Sequence, residues 1–153
     1  MNIYFACSIT GGRDFEGVYQ DLTRALLADG HNIPTAHLAA ADVMKKEAVI
    51  DPRLVYERDT AWINACDVLI AEVSVPSHGV GYEIGFALER GKPVLCLYRV
   101  DRKVSKMITG NPHPKLRLRS YGETAGAIAL AREFIAEAAM SLPPNFTTLT
   151  ENE

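Results

Sequence analysis

The sequence has few cysteines and no long apolar run, and each shortage excludes a class of protein. Its 153 residues include three cysteines, Cys7, Cys66 and Cys96. Because disulfide frameworks and zinc sites need clustered spacing, we expect three buried free thiols and a reducing compartment. A membrane span needs about 20 apolar residues in a row, and the short apolar segment 1–5 has no basic residues before it, unlike a signal peptide. These features predict a cytoplasmic protein with no membrane partner.

The chain also lacks an excess of positive charge. It has 16 Lys and Arg residues against 19 Asp and Glu residues, a net charge of −3. This balance gives no overall attraction for a nucleic-acid polymer, although one local pocket could still be positive enough for a small anion. The four histidines have no metal-ligand spacing. We expect neither a metal nor another cofactor.

What the sequence does contain is an alternation of β-rich and helical segments. Five strands are predicted, at 2–7, 31–35, 68–73, 93–98 and 116–121. Helices are predicted at 15–29, 52–65, 80–90, 104–108 and 123–140. This order predicts an α/β fold of the flavodoxin-like or Rossmann-like kind, a five-stranded parallel sheet with helices on both faces. Residues 1–140 are expected to form a single domain, and the polar segment 141–153 a flexible tail.

In an open α/β sheet, ligands bind beyond the carboxyl ends of the strands. The first of the three loops expected there, 8–14, begins with Ser8 and Ile9 and continues through Gly11, Gly12 and Arg13. Adjacent glycines permit a close approach of the backbone to a ligand, and Arg13 supplies a charge. The same Gly-Gly turn also occurs without any ligand. The other two expected loops are 74–81 and 99–110.

The segment Ser77-His78-Gly79-Val80-Gly81 precedes or opens a predicted helix. Small residues at a helix start leave backbone amides open to an anion. Ser77 either adds its hydroxyl to such a site or simply caps the helix. The spacing of Gly79, Gly81 and Gly85 is one residue too long for a dinucleotide-binding motif, and we reject that interpretation.

Asp59 lies near the middle of the predicted buried face of its helix. At about 100° per residue, five largely apolar residues project within roughly 60° of it, namely Val55, Tyr56, Trp62, Ile63 and Cys66. Glu57 and Arg58 project elsewhere. An unpaired buried carboxylate is costly, so such an acid is usually hydrogen-bonded, paired or functional. A structural Asp59, tied to Arg58, another basic group or a loop amide, stays open as the alternative.

Glu83 shares its helix face with Gly79, Val80, Phe86 and Ala87. It is predicted in the first turn, after the loop at a strand's carboxyl end, where the helix dipole favours an ionised carboxylate. The alternative is a Glu that completes the N-terminal cap. Position and burial together favour a functional role.

Several motifs resemble, in matching order, the 2'-deoxynucleoside 5'-monophosphate N-hydrolases, relatives of the nucleoside 2-deoxyribosyltransferases. These motifs are Tyr4-Phe5-Ala6-Cys7-Ser8-Ile9, Gly11-Gly12-Arg13, His37-Leu38-Ala39-Ala40-Ala41, residues 57–59, Ala71-Glu72-Val73 and Gly79-Val80-Gly81-Tyr82-Glu83-Ile84-Gly85. The resemblance runs from about Ile3 to Ile108. It implies that Glu83 is the nucleophile at the anomeric carbon and that Asp59 protonates the departing base.

The resemblance also implies the remaining site residues. Tyr4 and Ser8 match residues near the sugar and the catalytic Glu, and Ser77 with its neighbouring amides matches the 5'-phosphate site. Ser105 matches a serine that reaches the phosphate from a partner subunit, which implies a homodimer. Further substrate contacts are expected at Ile9, Gly11, Arg13 and Gly79. Thr10 departs from the Arg of similar proteins, and Tyr4 favours deoxyribose over ribose.

This chemistry agrees with the residues considered alone. Cleavage of an N-glycosidic bond passes through an oxocarbenium-like state that one carboxylate stabilises while another acid protonates the leaving group. Two other functions remain open. The first is a deoxyribosyltransferase that exchanges bases on nucleosides, and the second is a non-catalytic nucleotide sensor with the same fold.

Overall fold

The computed structural model describes residues 1–9, 14–40 and 42–141. Within them a parallel sheet has the order β1 (Ile3–Ala6), β2 (Val68–Glu72), β3 (Val94–Arg99) and β4 (Leu116–Tyr121). A 3-10 helix spans Pro34–Ala39. The α-helices are α1 (Glu16–Ala28), α2 (Val43–Glu47), α3 (Pro52–Ala65), α4 (His78–Glu89), α5 (Lys106–Thr109) and α6 (Thr124–Ser141). The prediction of an α/β fold with a parallel sheet is confirmed.

Alternate residues of each strand pack against different helices. In β1, Ile3 and Phe5 belong to the apolar cluster that contains residues of α1 and α6. Tyr4 and Ala6 belong to the other cluster, with residues of α3 and α4. Helices therefore cover both faces of the sheet, as predicted. Every residue of β2 is buried, which is typical of a central parallel strand and explains the apolar run that precedes Glu72.

The prediction of a fifth strand at 31–35 is wrong. Asn32 forms a single parallel bridge with Asn2, at the outer side of β1. Asn32 donates its amide to Met1 O, and its carbonyl accepts from Ile3 N. The next amide that would continue this ladder belongs to Pro34, which has no N–H to donate. The chain instead enters the 3-10 helix, and the Phe5 amide donates to the Thr35 hydroxyl at 2.9 Å.

Local signals set several helix ends. Pro52 is the first residue of α3, and the Asp51 carboxylate accepts a hydrogen bond from Arg53 N at 2.8 Å. Gly30 and Gly91 follow α1 and α4 with φ of 85° and 70°, which side chains other than glycine rarely adopt. None of the described helices is both long and apolar enough to cross a bilayer. Of the predicted tail, residues 142–153 lie outside the described part of the chain.

Candidate active site

Tyr4 and Glu83 come together from distant parts of the sequence. The Tyr4 hydroxyl donates to Glu83 Oε1 at 2.8 Å, across 79 positions of the chain. Tyr4 is buried in β1 on the face covered by α3 and α4, and Glu83 is half-buried on α4. Because α4 begins at His78, Glu83 lies in its second turn rather than the first, so the helix dipole acts on it less strongly than the sequence predicted.

The capping alternative for Glu83 is not supported by the structure. Ser77 caps α4, and its hydroxyl oxygen accepts from Val80 N at 3.4 Å. The Glu83 carboxylate accepts from Tyr4 instead. Glu83 therefore contributes to the polar contacts of the site and not to the helix end.

The electrostatics link Asp59 to this pair. Burial raises the pKa of Glu83 to about 7; the Tyr4 hydrogen bond opposes this rise and the negative charge of Asp59 adds to it. Burial and the charges of Glu83 and Asp59 also raise the pKa of Tyr4, so its hydroxyl remains a donor. Two acids that lie 24 positions apart in the chain (83 − 59) thus act on one another at one site.

Asp59 is paired, which the sequence left open as one of two interpretations. Its side chain is 15% exposed, and Arg58 Nε donates to its Oδ1 at 2.8 Å. The helical projection placed Arg58 on a different face, whereas its side chain turns toward Asp59. The pairing does not exclude a functional role, since Asp59 also acts on Glu83 and Tyr4.

Both predicted phosphate serines line one cleft of the same chain. The cleft has a volume of ≈ 700 Å³, and Ser77, Gly81, Ser105 and Ile108 are among its lining residues. Ser105 caps α5, and its hydroxyl oxygen accepts from Met107 N at 3.2 Å. Each serine is therefore a helix cap that also faces the cleft, so the two interpretations of Ser77 are compatible. Gly79 lies exposed in the first turn of α4.

The first loop is described only in part. Ser8 is buried and Ile9 half-buried just beyond β1, at the carboxyl edge of the sheet. Thr10, Gly11, Gly12 and Arg13 lie outside the described residues, so the contacts expected from Gly11 and Arg13 stay predictions. Among the residues that are described, no group of three His, Cys, Asp or Glu side chains could hold a metal ion. Cys7, Cys66 and Cys96 are buried thiols that form no disulfide, as predicted.

Sequence reasoning gave no role to Glu72, a fully buried carboxylate at the end of β2. Glu72 accepts hydrogen bonds from the Tyr121 hydroxyl at 2.9 Å and from the Ser74 hydroxyl. Burial raises its pKa. These contacts tie the loop before α4 to the end of β4, on the sheet face opposite Tyr4. The sequence did contain a signal for Glu72, since a carboxylate directly after an apolar run typical of a buried strand is expected to be buried and hydrogen-bonded.

Known structures share this class of fold. A Clostridium botulinum CMP N-glycosidase superposes with a TM-score of 0.67 at 20% identity, covering 86% of this chain and 98% of that one. A molybdenum cofactor carrier protein from Chlamydomonas reinhardtii has a TM-score of 0.60 at 17% identity, covering 88% and 97%. One of these proteins is named for glycosidic cleavage and the other for carrying a cofactor, so this α/β class does not by itself determine a function.

The chain belongs to the nucleoside 2-deoxyribosyltransferase family, whose model matches residues 3–137. It is 42% identical over 140 residues to the 5-hydroxymethyl-dUMP N-hydrolase of Mus musculus, covering 88% of this chain and 80% of that protein. It is also 38% identical over 122 residues to a protein of Methanococcoides burtonii provisionally named 2'-deoxynucleoside 5'-phosphate N-hydrolase 1, covering 80% and 100%. The resemblance drawn from the sequence motifs is confirmed.

Proposed function

We propose that this protein is an N-glycosidase that hydrolyses 2'-deoxynucleoside 5'-monophosphates to free base and deoxyribose 5-phosphate. The observation that carries the proposal is the Tyr4–Glu83 hydrogen bond beside Asp59, whose charge acts on both residues. The names of two relatives that are 42% and 38% identical support an enzyme that cleaves N-glycosidic bonds of nucleotides.

In the proposed mechanism, Glu83 attacks the anomeric carbon while the bond to the base breaks. Asp59 takes up a proton before this step, which removes the charge that it carries in the resting site, and it gives that proton to the departing base, which leaves neutral. The Tyr4 hydroxyl holds one oxygen of Glu83 and so orients the other toward the sugar. Water then attacks the glycosyl-enzyme, returns a proton to Asp59 and releases the Glu83 carboxylate. These steps need no metal or redox cofactor.

Phosphate recognition is assigned to the two cleft serines and the first loop. Ser77 and the amides around Gly79 supply donors at the start of α4, and Ser8, Ile9, Gly11 and Arg13 are proposed as further contacts to the substrate. The small hydroxyl at position 77 leaves room for a phosphate, whereas a transferase that acts on nucleosides would more often place a larger polar or acidic side chain there.

A homodimer forms part of the proposal, with Ser105 of each subunit reaching the phosphate of the other. Because Ser105 lines a cleft with Ser77 of its own chain, this reach requires that the two clefts face each other in the dimer. Ser105 is exposed next to Met107, whose side chain is 83% exposed. An apolar side chain that is open beside a cleft lined by Val104 and Ile108 supports burial by a second copy. The proposed location is the cytosol, a compartment suited to three buried cysteines that form no disulfide.

Chromatography of free base tests the function. The protein is incubated with nucleosides and with ribo- and deoxyribonucleoside 5'-monophosphates, with and without an acceptor base. Base release only from deoxyribose monophosphates is the expected result. Exchange onto the acceptor would identify a transferase instead, and tight binding without turnover would identify a nucleotide sensor.

Substitution of Ser77 separates phosphate binding from chemistry. Ser77→Asp keeps the N-cap of α4 but places a carboxylate where the phosphate is proposed to bind. We expect KM for a monophosphate to rise by at least about tenfold, and kcat at saturating monophosphate to change little. Ser77→Ala, which removes the hydroxyl without adding charge, should raise KM less. A loss of kcat with an unchanged KM would contradict the assignment of Ser77 to the phosphate.

The pH dependence follows from Glu83, which attacks only when it is ionised. Because its pKa is raised to about 7, the carboxylate is lost as the pH falls through 7. We expect kcat/KM to have an acidic limb centred near pH 7 and to fall about tenfold per pH unit below it. The measurement is a pH–rate profile from pH 4.5 to 9. A limb near pH 4.5 would contradict this assignment of the nucleophile.

A further inference from the structure

Arg58 is held in place by three neighbours. Its Nη1 and Nη2 donate to the two carboxylate oxygens of Glu47, each at 3.1 Å. Its guanidinium carbon lies 5.0 Å from the centre of the Trp62 ring. Its remaining described bond is the one from Nε to Asp59 Oδ1, at 2.8 Å. The guanidinium thus connects Glu47 to Asp59. Glu47 lies on α2, a helix with no residue in the proposed reaction, and Asp59 is the acid assigned to protonate the departing base.

This arrangement differs from an ordinary surface ion pair. Exposed pairs contribute little because solvent screens them and long side chains stay mobile. Here Arg58 is 23% exposed and Glu47 is 14% exposed. A two-pronged contact between a planar guanidinium and a carboxylate also fixes geometry as well as charge. The position of Arg58 Nε is therefore well defined relative to α2 and α3.

The contact of Arg58 with Asp59 depends on the residues that hold the guanidinium. Neighbouring residues on a helix do not face each other, whereas residues four positions apart do. Trp62 is four positions after Arg58, so the guanidinium lies over its ring, and Glu47 holds the far side. His37 adds a second contact to Glu47 at 3.5 Å between Nε2 and Oε1, and its ring packs on Trp62 edge to face. The result is an Asp59 carboxylate anchored by one oxygen, Oδ1.

We infer that Arg58 is a positioning residue for the glycosidase reaction: Glu47 and Trp62 fix it, and it fixes Asp59 by Oδ1 so that Oδ2 is directed to the substrate. The inference rests on the proposed function. It gives α2 a role, since Glu47 is then the part of that helix which holds Arg58. A displacement of about 1 Å in a group that transfers a proton is enough to lower a rate by about a hundredfold.

Three variants test the inference. Arg58→Gln removes the anchor, and we expect kcat to fall about a hundredfold with KM changed less than about threefold. Arg58→Lys keeps the charge but not the planar fork, and an intermediate loss is expected. Glu47→Gln keeps the Arg58 and Asp59 side chains but weakens the contact that fixes Arg58, and we expect kcat to fall about tenfold. Arg53→Gln is the matched control because Arg53 lies exposed on the same helix, paired with Glu57, and should behave as wild type.

A chemical rescue and a double variant distinguish positioning from a merely structural role. Adding methylguanidine to Arg58→Ala should restore at least part of kcat, since the cation can reoccupy the space between Glu47 and Asp59. Once Asp59→Asn is present, Arg58→Gln should cost little more, because the two residues act as one unit. Wild-type kcat in Arg58→Gln, additive losses, or losses that simply follow a lowered melting temperature would each overturn the inference. A wild-type protein that releases no base would overturn the proposed function instead.

Discussion

Glu83→Gln is expected to lower base release by about 10³-fold or more while the protein stays folded. The amide has neither the negative charge that stabilises an oxocarbenium-like state nor the nucleophilic oxygen that forms the glycosyl-enzyme. It is nearly the same shape, and its oxygen can still accept the Tyr4 hydroxyl that Glu83 Oε1 accepts at 2.8 Å. The measurement is single-turnover release of base from a deoxyribonucleoside monophosphate.

The same variant lowers activity but is expected to raise the stability of the folded protein. The pKa of Glu83 is raised from 4.5 to about 7 in the folded protein, so folding favours its protonated form. The contribution of Glu83 to the free energy of unfolding is therefore fully present below about pH 4.5 and is lost as the pH rises through 7. Gln carries no such charge, and because Glu83 is half-buried we expect Glu83→Gln to unfold with a free energy about 1–3 kcal/mol higher at pH 8, and nearly unchanged at pH 4.5.

Glu89→Gln provides the control on the same helix. Glu89 lies exposed near the end of α4, away from Tyr4, and its replacement should leave both rate and stability near those of the wild type. Near-wild-type turnover in Glu83→Gln would exclude Glu83 as the nucleophile. A loss of activity accompanied by lower stability at every pH would indicate instead that the residue serves the fold.

Much of the fold was predictable because the signals were local. The central strands are apolar over most of their length, and some of the helices between them are capped by recognisable residues, such as Asp51 with Pro52. The error at 31–35 came from a single backbone group. The segment begins to pair beside β1 at Asn32, but Pro34 lacks the amide that would continue the ladder.

The site was predictable where the position of a residue on its own helix indicates the direction of its side chain. Helical projection put Glu83 and Asp59 toward partly buried surroundings, and the structure brings their charges into mutual range. The same method missed the contact of Arg58 with Asp59, because an arginine side chain is long enough to reach a neighbouring face when other residues hold it. It also missed Glu47, whose helix has only five residues and therefore no readable periodicity.

Asp59→Asn is expected to lower kcat by about 10²- to 10³-fold, the usual contribution of a general acid. Asn can still accept from Arg58 Nε, as Asp59 Oδ1 does at 2.8 Å, so the geometry of α3 should persist. Asn cannot give a proton to the departing base, and the loss should therefore depend on the leaving group. We expect a greater loss with dUMP than with 5-fluoro-dUMP, because the fluorinated base leaves more readily without protonation.

That dependence distinguishes proton transfer from positioning, which the magnitude of the loss alone would not do. Glu57→Gln is the matched control, since Glu57 lies two positions earlier on α3 and pairs with the exposed Arg53. It should leave the ratio of the two rates unchanged. Equal losses with dUMP and 5-fluoro-dUMP would contradict proton donation by Asp59. Because Asp59 is paired with Arg58 and also acts on Glu83, such a result would assign it to orienting the nucleophile and the sugar, and the proton would have to come from another group.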